Sequence, residues 1–233
     1  LRTNLSLIEA LRGEIARVPT HCATPEIALT KLAWWREELA RLDAGTPRHA
    51  LTRALLPTLT PTLPAAATAL VDGLCALINE SRHATRDARH RAFDLAHGPL
   101  WSLVNAQCTT LDEAASQAAR RLGSRIEEAY ALRDTRRFVA SGAALLAQES
   151  VTAVERTTQG ATLADADWYA QVIAHDITHC RAALTTGLRD LPARRALRPL
   201  ATLARIALAT LDEVAADGVR VWERRVELTP LRK

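Results

Sequence analysis

The sequence predicts an all-α domain, and three observations predict it. Gly and Pro number only 9 and 10 in 233 residues. That is too few for a sandwich or barrel, which turns every ~8–12 residues. Ala, Leu and Arg dominate, and all three favour helix. Apolar residues recur at spacings of three and four along much of the chain. With 48% hydrophobic and 24% charged residues, wholesale disorder is excluded. The length suits one domain over residues 1–233, with ample core.

The elements follow in order. Residues 3–18 read as a helix with Thr3 or Asn4 as cap and Leu5, Ile8, Leu11, Ile15 and Val18 on one face. Pro19 and Pro25 bracket a loop containing His21 and Cys22. A second helix over 26–42 puts Ile27, Leu32, Trp35, Leu39 and Leu42 on one side, and Gly45 and Pro47 end it. A short helix near 48–56 precedes breaks at Pro57, Pro61 and Pro64. An apolar helix covers 65–81, a polar Arg/His-rich stretch 82–91, and a second apolar segment 92–108. Gly98-Pro99 should kink or interrupt that last segment. Thr110 or Asp112 starts a long helix to Asp134. Residues 138–162 mix loop and helix. Asp165 or Asp167 opens a helix to Leu191, Pro192 opens the next to Gly218, and a last helix or extension closes at Lys233.

Lys plus Arg is 30 against 26 acids, a formal charge of +4. Only Lys31 and Lys233 are lysines, so the basic residues are overwhelmingly arginine. So small an excess does not point to nucleic acid, and none is expected as a partner. Cys22, Cys75, Cys108 and Cys180 lie far apart without a CxxC pair. They are expected as reduced, buried thiols of a cytoplasmic protein. No apolar run approaches the ~20 residues of a membrane span, and no secretory signal shows at the start. The sequence holds no Met, and its start is expected to be trimmed.

Three segments carry a family resemblance. The first is Leu32-Ala-Trp-Trp-Arg-Glu-Glu-Leu39 followed by Gly45 and Pro47-Arg-His-Ala-Leu51. The second is Leu122-Gly123 with Ala129-Tyr-Ala-Leu-Arg-Asp134. The third runs from Arg198-Pro-Leu200 through Ala204, Leu211, Gly218, Val221 and Arg225-Val-Glu-Leu228 to Arg232-Lys233. In this order the set resembles the squalene/phytoene synthase family, with the family's first helix short or absent. The resemblance implies a helical bundle of the isoprenoid synthase type with a central hydrophobic cavity. Active members of that family join two prenyl diphosphates head to head. Aspartates four apart on facing helices hold Mg²⁺, which neutralises the diphosphates as an allylic cation forms.

This sequence departs from that pattern. The first aspartate motif would fall in Leu11-Arg-Gly-Glu-Ile-Ala-Arg-Val18, with its key positions at Gly13 and Arg17 and Glu14 as the acid there. In the second, Asp134 matches, but the position four later is Phe138. The Gly-Arg-x-Tyr-Leu-Pro stretch is replaced by Gly142-Ala-Ala-Leu-Leu-Ala147. The site charge falls from about −4 to about −1, and Arg17 would repel a nearby cation by ~4 kcal/mol at 4 Å. Metal-dependent condensation is therefore expected to be lost or severely impaired, with no catalytic residue, no metal and no cofactor. Two arrangements stay open. Glu14, Arg17, Arg133 and Asp134 could form a buried ion-pair network that plugs the site. Alternatively Arg12, Arg17, Arg133 and Arg137 could bind an anionic headgroup directly. The candidate headgroup site is thus Arg12, Glu14, Arg17, Arg133, Asp134 and Arg137, with Glu14 and Asp134 as remnants of the metal site. A catalytically silent branch of the family, which includes a mitochondrial complex I assembly factor, has a similar Glu-Ile-Ala-Arg first motif.

Other constellations read as structure. His175 and His179 lie four apart, flanking Asp176. A zincin would need Glu beside the first His and a third ligand, so two partly exposed helix histidines are expected. Arg82, His83, Arg86, Arg89, His90 and Arg91 are expected as a solvated face paired with acids. Their rival reading is contact with an acidic membrane surface or a protein. The tryptophans Trp34, Trp35, Trp101, Trp168 and Trp222 are expected mostly in core or cavity walls. Trp34 and Trp35 point about 100° apart on a helix and cannot share one environment. The sequence thus reads as a squalene/phytoene synthase-like protein that binds an isoprenoid or lipid or acts as an assembly or interaction factor. It is expected in the cytoplasm, with peripheral membrane contact as an option. The alternative is an active transferase condensing prenyl diphosphates in isoprenoid biosynthesis, which would require Mg²⁺.

Overall fold

The structure, a computed structural model, describes residues 2–80, 83–140, 145–158, 165–218. Among them the regular elements are helical, and one isolated bridge pairs His83 with Ala147. The helices are α1 (Arg2–Ala16), α2 (Val18–His21), α3 (Pro25–Asp43), α4 (Ala50–Leu55), α5 (Leu63–Asn79) and α6 (Arg86–Cys108). Then come α7 (Glu113–Arg133), α8 (Thr135–Ala140), α9 (Gln148–Thr158), α10 (Asp165–Asp190) and α11 (Arg198–Asp217).

The starts of several helices follow from their caps. The Ile27, Ala88 and Ala115 N–H groups donate to the side chains of Thr24, Thr85 and Asp112. Pro25, Pro64 and Pro199 sit in first turns, where a missing N–H costs nothing. Gly45 follows α3 with φ 75°, a value that favours glycine.

Helix α7 packs against α6, α10 and α11; α6 also packs against α5, and α5 against α3. Helix α1 leans on α4, α5 and α6. Close approach is built in at two glycines. A Cβ on Gly73 of α5 would lie 2.3 Å from Ala96 of α6, and one on Gly123 of α7 would lie 2.3 Å from Trp101 of α6. The core includes Leu11, Ile15, Leu32, Leu70, Leu74, Phe93, Leu100, Ile126 and Leu132.

Several sequence expectations are corrected. The interruption expected as one option at Gly98-Pro99 does not occur: α6 runs as one helix from Arg86 through Pro99 to Cys108, joining most of the polar stretch to the apolar one, and Arg82 lies outside the described residues. The packing of α6 between α5 and α7 outweighs the ~3 kcal/mol that an interior proline costs. The segment between Pro19 and Pro25 includes the one-turn helix α2, with Pro19 in its first turn. Pro64 begins α5 rather than breaking the chain. All four cysteines are free, as expected, but only Cys180 is buried and Cys108 is exposed. Trp35 and Trp101 are buried, whereas Trp34 is 41% exposed, which matches the opposed directions of the Trp34-Trp35 pair. Trp222, Gly142 and the closing segment beyond Gly218 lie outside the described residues.

The basic stretch is the largest correction. Arg91 is exposed as expected, but Arg89 is fully buried. Its Nε donates to Glu128 of α7 at 2.6 Å, its Nη1 lies 2.6 Å from Asp176 of α10, and Nη1 also donates to the Leu145 carbonyl. Arg125 joins from α7, bonding Glu128 at 2.7 Å and Asp94 at 2.6 Å. Ser150 of α9 donates to Asp176 at 2.6 Å. Burial would raise the Glu128 pKa, but Arg89, a hydrogen bond from His90 and Arg125 hold it at about 2. This ionic layer ties α6, α7, α9 and α10 together, and charges at this depth persist because they are paired.

Candidate functional site

A cavity of about 210 Å³ opens between α1, α2, α6 and α7, with Leu74 of α5 in its wall. Its floor is partly apolar, from Leu74, Phe93 and Ala131. Its polar lining comes from Arg12 of α1, from Arg17 between α1 and α2, from Thr20 and His21 of α2, and from Glu127, Tyr130, Arg133 and Asp134 at the end of α7. His97 of α6 completes it. The 3.6-residue period explains the α7 set: Glu127, Tyr130 and Asp134 are three or four apart and share a face.

Arg12 is the most constrained group here. It donates to Glu127 across the gap between α1 and α7, and to Glu9 one turn back at 2.8 and 3.0 Å. Its guanidinium sits 5.3 Å from the centre of the Trp101 ring, a cation–π contact. Burial would lower its pKa, but Glu127 and Glu9 raise it instead. Arg133 bonds Asp134 at 2.7 Å and lies 4.9 Å from the Tyr130 ring centre. The Arg133 Nε–H is buried and has no hydrogen-bond partner. Arg17 pairs with Glu14 one turn back, and its side chain is 50% exposed. Burial, with Arg12 and Arg125 nearby, drops the His97 pKa to about 3, so the ring is neutral.

The sequence-predicted set is therefore partly gathered. Arg12, Arg17, Arg133 and Asp134 line one cavity; Glu14 of α1 pairs with Arg17 just past the end of that helix, and Arg137 is exposed on α8 outside the lining. The buried plug centred on Arg17 is not what forms, because Arg17 reaches solvent. A tie between α1 and α7 is made by Arg12 and Glu127. Glu127, Tyr130 and His97 were missed by the sequence reading. Glu127 was findable, since it lies seven residues before Asp134 on the same face of α7.

A family model for squalene/phytoene synthase matches residues 1–232. The chain belongs to the squalene/phytoene synthase family. A search of curated proteins found no match. Family membership agrees with the all-α fold and with a cavity between the helices that carry the motif positions.

Whether the residues present fit the family's Mg²⁺ is a question of donors. Mg²⁺ wants near-octahedral oxygen ligands, usually carboxylates plus phosphates and water. Here Glu127, Glu14 and Asp134 are each bonded to an arginine. Three guanidiniums line the cavity against two carboxylates, and Gly13 and Arg17 supply no oxygen ligand at the first motif. The donor set does not fit a magnesium cluster. Its size is also modest: about 210 Å³ is below the ~300–1,000 Å³ of ordinary small-molecule sites.

Proposed function

We propose that this family member binds the phosphorylated head of an isoprenoid or lipid directly through arginine, and does not carry out metal-dependent prenyl condensation. The observation that carries the proposal is the charge of the cavity, where arginines outnumber carboxylates and occupy each of them. The buried Arg133 Nε–H without a partner supports it, since an unsatisfied buried donor is costly and an anion would satisfy it. The cavity volume suits a headgroup, with the hydrocarbon chain leaving past Thr20 and His21 at the exposed rim of α2. A cytoplasmic place at a membrane surface fits this role. No helix among the described residues is long and apolar enough to cross a membrane.

The test is incubation with farnesyl or geranylgeranyl diphosphate and Mg²⁺, with product analysis and a parallel binding measurement in chelator. The proposal expects binding in chelator and no condensed hydrocarbon; turnover would restore the active-transferase reading. A second reading, an interaction or assembly role, rests on Ile27 and Trp34. They lie seven residues apart on α3 and are 53% and 41% exposed. Failure to bind any prenyl diphosphate, with capture of a defined complex dependent on Trp34, would favour it.

A further inference from the structure

We infer that Asp87, His90 and His179 form a binding site for a divalent transition ion of the Zn²⁺ type, on the surface between α6 and α10. The geometry carries it. Each of the three residues brings one potential ligand atom within 4.8 Å of the other two. His179 Nε2 lies 3.6 Å from an Asp87 carboxylate oxygen. Tetrahedral zinc, with bonds of about 2.0–2.1 Å, sets its ligand atoms roughly 3.4 Å apart, so small side-chain shifts close the site. The two imidazoles already lie nearly parallel, with centres 4.7 Å apart and planes 18° apart.

The chemistry of His90 is the second, independent observation. Its Nδ1 is engaged by Glu128, a carboxylate held ionised by the buried arginines. A carboxylate can only accept, so Nδ1 carries a proton toward Glu128 and Nε2 is the ring atom turned toward the site. That Nε2 is buried and has no hydrogen-bond partner, and the same holds for His179 Nε2. A histidine whose far nitrogen is held by a carboxylate is the usual arrangement of a metal-ligating imidazole. The two guanidiniums nearest the histidines, Arg86 and Arg125, are each paired with carboxylates, and Arg121 on the groove's flank is exposed to solvent. Arg86 pairs with Glu149 at 2.9 Å, and Arg125 pairs with Asp94 and Glu128.

Two nitrogens and one oxygen leave a coordination position unfilled, as in zinc sites that take water or a substrate oxygen. The same three residues line a groove of about 450 Å³ floored by Leu122 and Gly187 and flanked by Arg121. The fourth ligand would be an oxygen entering from that groove. The site stands apart from the cavity that holds Arg12 and Arg133, so either proposal can fail alone. The pairing of His179 with His90, rather than with His175 on its own helix, is why helical spacing did not reveal it.

The test uses the untagged full chain, stripped with chelator and titrated with Zn²⁺ alone by calorimetry. Co²⁺ is added in parallel to read the visible absorption of a low-coordinate site. One equivalent of Zn²⁺ is expected, with a Zn²⁺-dependent rise in Tm. His179→Ala and Asp87→Asn should each weaken binding by at least tenfold and abolish the Tm rise. Both side chains are partly or largely exposed, so these variants should fold. His175→Ala, one turn away on α10, should bind like the parent. Substoichiometric binding, an unchanged His179→Ala, or an equal loss in His175→Ala would overturn the inference.

Discussion

Arg12 of α1 and Glu127 of α7 are bonded across the two helices that carry the family's motif positions. Where the family gathers acids around cations, this chain places a guanidinium on an acid. The two residues are 115 apart in sequence, so the bond also fixes how α1 docks on the rest of the bundle.

Because this pair is mostly buried, with 18% and 10% side-chain exposure, Arg12→Ala should cost about 3 kcal/mol by leaving Glu127 without its cation. Arg17→Ala should cost no more than about 1 kcal/mol, since its pair with Glu14 is half in solvent. Urea denaturation of both variants checks the contrast. A double-mutant cycle with Glu127→Gln should show coupling for Arg12 and none for Arg17.

His97 sets the first acid sensitivity. Unfolded, it takes up a proton below about pH 6.5; folded, burial holds its pKa at about 3. Between those values the unfolded chain binds more protons, so stability falls with falling pH by about 1.4 kcal/mol per unit from this group alone. Glu128 adds a second loss, starting below its ordinary carboxylate pKa and complete only as pH falls through about 2. His97→Leu should flatten the stability profile between pH 6.5 and pH 4.5 while leaving the lower limb, as the pH dependence of the urea midpoint would show.

The ionic layer should be intolerant of half-removal. Arg89→Met leaves Glu128 and Asp176 facing each other's side of an apolar interior, and a loss of about 3–5 kcal/mol is expected by thermal or urea unfolding. Arg91→Met, two residues on and exposed, should change stability by less than about 0.5 kcal/mol.

Gly123 is a steric requirement. A Cβ there would meet the Trp101 ring at 2.3 Å, and moving Trp101 also disturbs the ring beneath Arg12. Gly123→Ala should lose about 1–3 kcal/mol despite alanine's better helix propensity. Trp101 fluorescence should shift with it.

Much of the fold was legible because helices announce themselves locally. The apolar stripes of α3, α7 and α11 and the cap at Asp112 needed only nearby residues. The interruption offered as one option at Pro99 does not form, because the packing that overrides it comes from α5 and α7. Arg89 misled for the same kind of reason. Charges dense in sequence usually lie in solvent, and its partners Glu128 and Asp176 come from other helices. In the candidate site, the replaced acids at Gly13, Arg17 and Phe138 were readable from the resemblance. Which arginines meet which acids was not, since that depends on helix docking rather than spacing.

The central claim is that arginine, not a metal cluster, would hold an anion between α1 and α7. The most direct test is titration of inorganic pyrophosphate into the full chain, with chelator and then with millimolar Mg²⁺. The account predicts binding in chelator that Mg²⁺ fails to strengthen and that Arg133→Ala weakens at least tenfold. Binding that appears only when Mg²⁺ is present would contradict it.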